Sequence, residues 1–113
     1  MTWSSAVMLL SWIVTVEAEV QITAAELYSQ CCATCHGITG EGNGPSAASL
    51  STKPRNFTDC RTMSTISDET AFKVIKKGGG ANGLNSSMPS WADALTDEQI
   101  RMLIGYVRHF CMK

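Results

Sequence analysis

SQCCATCHGITG, residues 29–40, sets two cysteines side by side, a third a helical turn later, and a histidine directly after it. Within it, Cys32-Ala33-Thr34-Cys35-His36 has the form C-x-x-C-H. On a helix, residues i and i+3 share a face, so Cys32 and Cys35 can both reach the two vinyl groups along one edge of a porphyrin. His36 can then turn its imidazole beneath the ring toward the iron. Register selects Cys32 over Cys31, because Cys31 lies out of step with Cys35. Two other uses of a C-x-x-C pair are half of a zinc site and a thiol redox pair. Zinc needs a second ligand pair at close spacing, and His109, Cys60 and Cys111 are scattered along the chain. A thiol redox pair wants a strand in front of it, whereas here a capped helix precedes the motif. The stretch therefore predicts covalent attachment of one haem c through Cys32 and Cys35, with His36 as an iron ligand.

The rest of the chain sets the context for that chemistry. At 113 residues it holds one domain at most, small enough that a staple or cofactor is expected to reinforce the core. Nine basic residues against ten acids give a net charge of -1, which offers no broad electrostatic case for nucleic acid or an anionic membrane as partner. Five cysteines make the compartment the deciding question. The opening MTWSSAVMLLSWIVTVEAEV has an apolar run from Ala6 to Val16, followed by Val16-Glu17-Ala18, which fits the small-residue rule for signal peptidase. Residues 1–18 are therefore read as an export signal cleaved after Ala18, and residues 19–113 as the mature domain. Cleavage would remove Glu17 and leave nine acids against nine bases. The signal has no Lys or Arg ahead of its apolar run, and Val16, Ala18, Val20 and Ile22 alternate with polar residues as a strand would. An uncleaved anchor and a first strand are thus the alternatives. The expected location is the periplasm or another exported compartment, without stable membrane insertion once the signal is gone.

Local signals then divide the mature part into helices and loops. Thr23 with Glu26 forms a capping box for a first helix running to about Cys35. Residues 37–56 are dense in Gly, Ser and Pro and read as a loop. Ser67 caps a second segment with Asp68 and Glu69 in its first turn, Phe72, Val74 and Ile75 as its apolar set, Lys76 and Lys77 in its last turn, and Gly78 after it. A second loop, GGGANGLNSSMPSW, follows. Thr96 and Gln99 make another capping box, and Ile100, Leu103, Ile104 and Val107 share one helical face up to about Phe110. No internal repeat and no strand is evident in the mature part.

Taken together, CATCHG at 32–37, Gly42-Asn43-Gly44-Pro45, Met88-Pro89-Ser90-Trp91 and the closing Tyr106-Val107-Arg108 resemble a small monohaem c-type cytochrome with a late methionine ligand. The resemblance spans nearly all of residues 23–111. It implies an all-α, cytochrome c-like fold of three to four helices around one haem, with first and last helices crossing. Of the six methionines, Met1 and Met8 fall in the signal, Met102 lies in the last helix and Met112 at the chain end. Met63 and Met88 remain. Met88 precedes a proline that restricts its backbone, and it matches the distal ligand of the family; Met63 and His109 are the other candidates. The resemblance further implies that the Pro45 carbonyl accepts a hydrogen bond from His36 and that Trp91 turns its indole N–H toward a haem propionate. Packing alone also accounts for Trp91. Gly105, costly in a helix by about 1 kcal/mol, suggests a close crossing by the first helix.

An iron held by His36 and Met88 has no open position, which favours a soluble one-electron carrier over an enzyme. The alternatives are an electron-entry subunit of a larger oxidoreductase, and a haem sensor or weak peroxidase if Met88 leaves the iron readily. A carrier of this kind meets redox protein partners through an exposed haem edge and acts as a monomer. Near-neutral charge points to a small apolar docking patch more than to long-range steering. Of the three remaining cysteines, Cys31 is expected to pack as a small hydrophobe, and Cys60 and Cys111 to pair in a disulfide.

Overall fold

The computed structural model describes residues 2–12 and 21–112. The expected cleavage point after Ala18, and the alternation of Val16, Ala18 and Val20, lie outside the described residues. Residues 2–12 form no helix or strand, and Trp3, Leu9, Leu10 and Trp12 are exposed. Among the described residues five α-helices follow: α1 (Ala24–Cys31), α2 (Ala33–His36), α3 (Cys60–Met63), α4 (Asp68–Lys77) and α5 (Asp97–His109). No strand occurs among the described residues, so the fold is all-α as expected.

Helix starts fall where the caps place them. The Thr23, Ser67 and Thr96 hydroxyls accept from the backbone N–H groups of Glu26, Thr70 and Gln99. Only Thr96 completes a box, through the return bond from its own N–H to Gln99 Oε1 at 3.0 Å. Each such cap contributes about 1 kcal/mol by pairing a donor that the helix leaves orphaned. α3 was not expected. Its signal is Asp59, whose carboxylate accepts from the Thr62 backbone at 3.3 Å and the Thr62 hydroxyl at 2.7 Å.

The first helix also differs from expectation, because it breaks at Cys32 instead of running through to Cys35. Cys32 leaves helical geometry at φ -122°, ψ -39°, and the chain restarts as α2. Tyr28 spans the break, with its hydroxyl donating to the Gly37 carbonyl at 2.6 Å while its ring is fully buried. That bond satisfies a polar tip that would otherwise be desolvated without a partner.

α1 crosses α5, and Leu27, Tyr28, Ile100, Leu103, Ile104 and Phe110 form the core there. Each fully buried large apolar side chain of this kind contributes about 1.5–3 kcal/mol. Tyr28 packs at 5.1 Å from both Tyr106 and Phe110. Gly105 does not make the crossing close: a Cβ built on it meets nothing within 4 Å. Tyr28, Tyr106 and Phe110 fill the interface instead, so the helices need no small residue at that point.

α4 lies against α5 and is tied to it at both ends. Asp68 at the start of α4 pairs with Arg108 near the end of α5, and Lys76 near the end of α4 pairs with Asp97 at the start of α5, each at 2.9 Å. Acids therefore sit at helix N-termini and bases at C-termini, as the helix dipoles favour. Exposed pairs contribute at most about 1 kcal/mol. Arg108 does more, since it also donates to the Met63 carbonyl at 2.8 Å and to the Ile66 carbonyl. No α4 side chain is fully buried; Phe72, Val74 and Ile75 are half-buried, with Arg101 4.5 Å above the Phe72 ring.

Candidate haem site

The C-x-x-C-H motif closes α2, a helix whose last carbonyls need partners. The glycine-rich loop supplies them: Ser46, Gly44 and Gly42 N–H groups donate to the Thr34, Cys35 and His36 carbonyls at 2.9, 3.0 and 2.8 Å. A Cβ on Gly44 would collide with the carbonyl oxygens of Ala33 and Thr34, so only glycine lets this backbone approach. The motif is thereby held by its own loop.

His36 is turned by the following segment. Its Nδ1 lies 3.1 Å from the Arg55 carbonyl oxygen. A carbonyl can only accept, so Nδ1 carries the hydrogen and Nε2 is left with the lone pair that a metal requires. This corrects the expected partner. Pro45 instead lines an outward groove with Ser29, Ala33, Thr34, Ile38 and Asn43. The Gly44 and Ser46 N–H groups point back to the carbonyls of α2, and residues 54 and 55 run against Gly42 and bring the Arg55 carbonyl to the ring. Phe57 covers one face of the imidazole, with ring centroids 4.3 Å apart and planes 14° from parallel. Burial lowers the His36 pKa below its ordinary value and so favours the neutral ring, although the Arg55 bond works the other way.

The three cysteines of the stretch are unpaired and half-buried. Burial, with smaller contributions from Cys31 and Cys35, pushes the Cys32 thiol up to about 12. Burial also raises Cys31, which packs against the core.

Met88 is half-buried in the second loop. Its carbonyl accepts from Gly79 N–H at 2.9 Å, and its own N–H donates to the Asn85 carbonyl at 3.3 Å. Gly78 has φ +86°, and a Cβ on it would come 3.1 Å from the Met88 carbonyl oxygen, which explains a glycine at the end of α4. Trp91 follows, with its N–H donating to the Ile75 carbonyl at 3.0 Å. The indole Nε1 of Trp91 is buried with no partner. The other methionine candidate, Met63, is buried in the protein interior, and His109 Nδ1 lies 2.7 Å from the Gly105 carbonyl of its own helix. Among the described residues no three His, Cys, Asp or Glu side chains gather as a metal site, so the zinc reading finds no second ligand pair.

The Cys32 thiol at the break before α2, the Cys35 thiol and His36 imidazole within α2, and a buried indole N–H lacking an acceptor suit a covalently bound porphyrin that brings its own carboxylates. The protein is a small c-type cytochrome. It belongs to the family described as cytochrome c oxidase, cbb3-type, subunit III, whose model matches residues 21–107. Among solved structures it is similar to the KustC0563 c-type cytochrome, at 30% identity and TM-score 0.65, over 79% of this chain and 98% of that one. It is also similar to a chain of the Kuenenia stuttgartiensis reducing HAO-like protein complex Kustc0457/Kustc0458, at 32% identity and TM-score 0.64, over 81% of this chain. Of that second chain it spans 43%. No curated protein matches it. A c-type cytochrome carries covalently attached haem c, is exported, and transfers electrons to and from redox partners. No helix among the described residues is long and apolar enough to cross a membrane.

Sequence reasoning missed Arg55 and Phe57. A backbone carbonyl leaves no mark in the residue type that carries it, and a single phenylalanine in a loop has no periodicity to announce it.

Proposed function

We propose that this chain carries single electrons through one haem c held by thioethers to Cys32 and Cys35, with His36 and Met88 as axial ligands. The observation that carries the reading is at His36, where the Arg55 carbonyl engages Nδ1 and leaves Nε2 as the coordinating nitrogen, next in sequence to the free Cys35 thiol. When bound, the haem supplies a one-electron ferric/ferrous couple whose potential a methionine ligand raises. The chain's own task is to hold ligands in place. Hydrogen bonds to the N–H and the carbonyl of Met88 anchor the root of its thioether, which weighs against a sensor or peroxidase with a labile methionine. Trp91 Nε1, already desolvated, is suited to donate to a propionate oxygen. Ile38, 67% exposed and two residues after His36, offers apolar contact to a partner beside the motif. Such a patch fits brief docking in the periplasm of an otherwise monomeric carrier.

A second reading, a haem subunit within a larger oxidoreductase, is favoured by the likeness to a chain of the HAO-like complex. Sedimentation of the native protein separates the two: a single small species supports the carrier, and a stable co-sedimenting oxidoreductase supports the subunit. The ligand set has its own test. The ferric protein should show the red charge-transfer band of methionine-bound haem, and Met88→Ala should keep covalent haem but lose that band and fall in potential. His36→Ala should fail to give stable holoprotein. An unchanged band and potential in Met88→Ala would refute Met88 as the ligand.

A further inference from the structure

The segment 52–57 touches both elements that carry the ligands. At one end, Thr52 Oγ1 accepts from Asn85 Nδ2 at 3.0 Å, in the loop that leads to Met88. At the other, the Arg55 carbonyl takes His36 Nδ1 and the Phe57 ring lies flat on the imidazole. Phe57 is itself fixed on three sides. Its N–H donates to the Gly40 carbonyl at 2.7 Å, one face meets His36, and its ring is stacked with Phe110, with centroids 6.4 Å apart and planes 16° from parallel. Held by Cβ and by one hydrogen bond at Nδ1, the imidazole plane can still tilt about the line joining those two points. A parallel ring 4.3 Å away removes that freedom, and it shields one imidazole face from water.

We propose that Phe57 is a positioning residue for the proximal ligand: its ring sets the plane of His36 while the Arg55 carbonyl sets its nitrogen. The assignment rests on His36 being an axial ligand. The flat face is the essential feature, so a side chain of equal bulk without a ring cannot replace it. The orientation of an imidazole plane determines the anisotropy of a low-spin ferric haem, and water near the ligand stabilises the ferric state.

Phe57→Met and Phe57→Leu keep much of the volume and remove the ring, and Phe57→Tyr keeps both. Leu103→Ala serves as the comparison, since it opens the α1–α5 core without touching His36. The four holoproteins and the parent are compared by low-temperature electron paramagnetic resonance of the ferric state and by midpoint potential. The ringless variants should keep covalent haem and the methionine charge-transfer band, show shifted and broadened g-values, and have lower potentials. Phe57→Tyr should match the parent, and Leu103→Ala should lose thermal stability with g-values unmoved. Either ringless variant suffices if the other does not yield holoprotein. Parent-like g-values and potential in a ringless variant overturn the proposal, as does an equal shift in Leu103→Ala. Failure of the ligand reading is distinguishable, because His36→Ala would then retain a low-spin spectrum like the parent's.

Discussion

Three glycine-to-alanine substitutions measure separately what the packing around the motif implies. Gly40 has φ +76°, and a Cβ there would stand 2.7 Å from Cγ and 2.8 Å from Cδ2 of Phe110. That ring cannot retreat, being buried and packed 5.1 Å from Tyr28 and 5.4 Å edge-on from Tyr106. Gly40→Ala therefore adds an overpacking cost of about 1–3 kcal/mol to a backbone cost of about 1–2 kcal/mol. The total is about 2–5 kcal/mol, and each kcal/mol lowers the melting temperature of a domain this size by about 4–8 °C. Gly83 shares the positive φ, at +72°, but has nothing within 4 Å, so its alanine variant should lose only the backbone part, about 1–2 kcal/mol. Gly105 lies inside α5 with open space above it, and Gly105→Ala should stabilise by about 0.5–1 kcal/mol. Guanidinium unfolding of the four holoproteins, followed by far-ultraviolet circular dichroism and by haem absorbance, gives all the differences at once. The expected order of midpoints is Gly40→Ala, Gly83→Ala, parent, Gly105→Ala. A Gly40→Ala variant no weaker than Gly83→Ala would refute the seating of Phe110 over Gly40. A destabilised Gly105→Ala would refute the open face of α5.

Two further outcomes are expected. Cys60 and Cys111 lie with Cα atoms 5.0 Å apart, within disulfide reach, and a bond closing their separation of 51 residues would stabilise by about 4 kcal/mol in the chain-entropy model. Denatured holoprotein, alkylated and weighed intact, should take a single label, mapped to Cys31; three labels would show that Cys60 and Cys111 are reduced. Asp59 provides a pH test, since the Thr62 hydroxyl and backbone N–H lower its pKa below the ordinary 3.8. Between the lowered and ordinary values the folded chain binds fewer protons than the unfolded one, so this contribution is present above the ordinary value and lost as pH falls through the lowered one. Asp59→Asn keeps the cap without the titration, and its thermal stability should fall less steeply on acidification than that of the parent; identical slopes would show that the carboxylate is not engaged.

Much of the helical layout was legible because its causes are local. Thr96 and Gln99 are three residues apart, and Ser67, the acids of the first turn, the closing lysines and Gly78 all act within a few residues of the bonds they satisfy. The C-x-x-C-H spacing and the Met-Pro-Ser-Trp stretch are equally local, and they led to the c-type cytochrome family on which the structural likeness also converges. Even the missed α3 has a local cause, the Asp59 cap, too short a signal to stand out beside a glycine-rich loop.

Tertiary structure decided the rest, wherever the deciding contact joins distant segments. His36 and the Arg55 carbonyl are nineteen residues apart, and it is this carbonyl, not that of Pro45, that reaches the ring. Residue type shows which side chain can bind iron or stack on a ring, but a backbone carbonyl is the same at every position. Which carbonyl reaches His36 follows only from the path of the chain past Gly42 and Gly44, and so does the ring that comes to lie on its face.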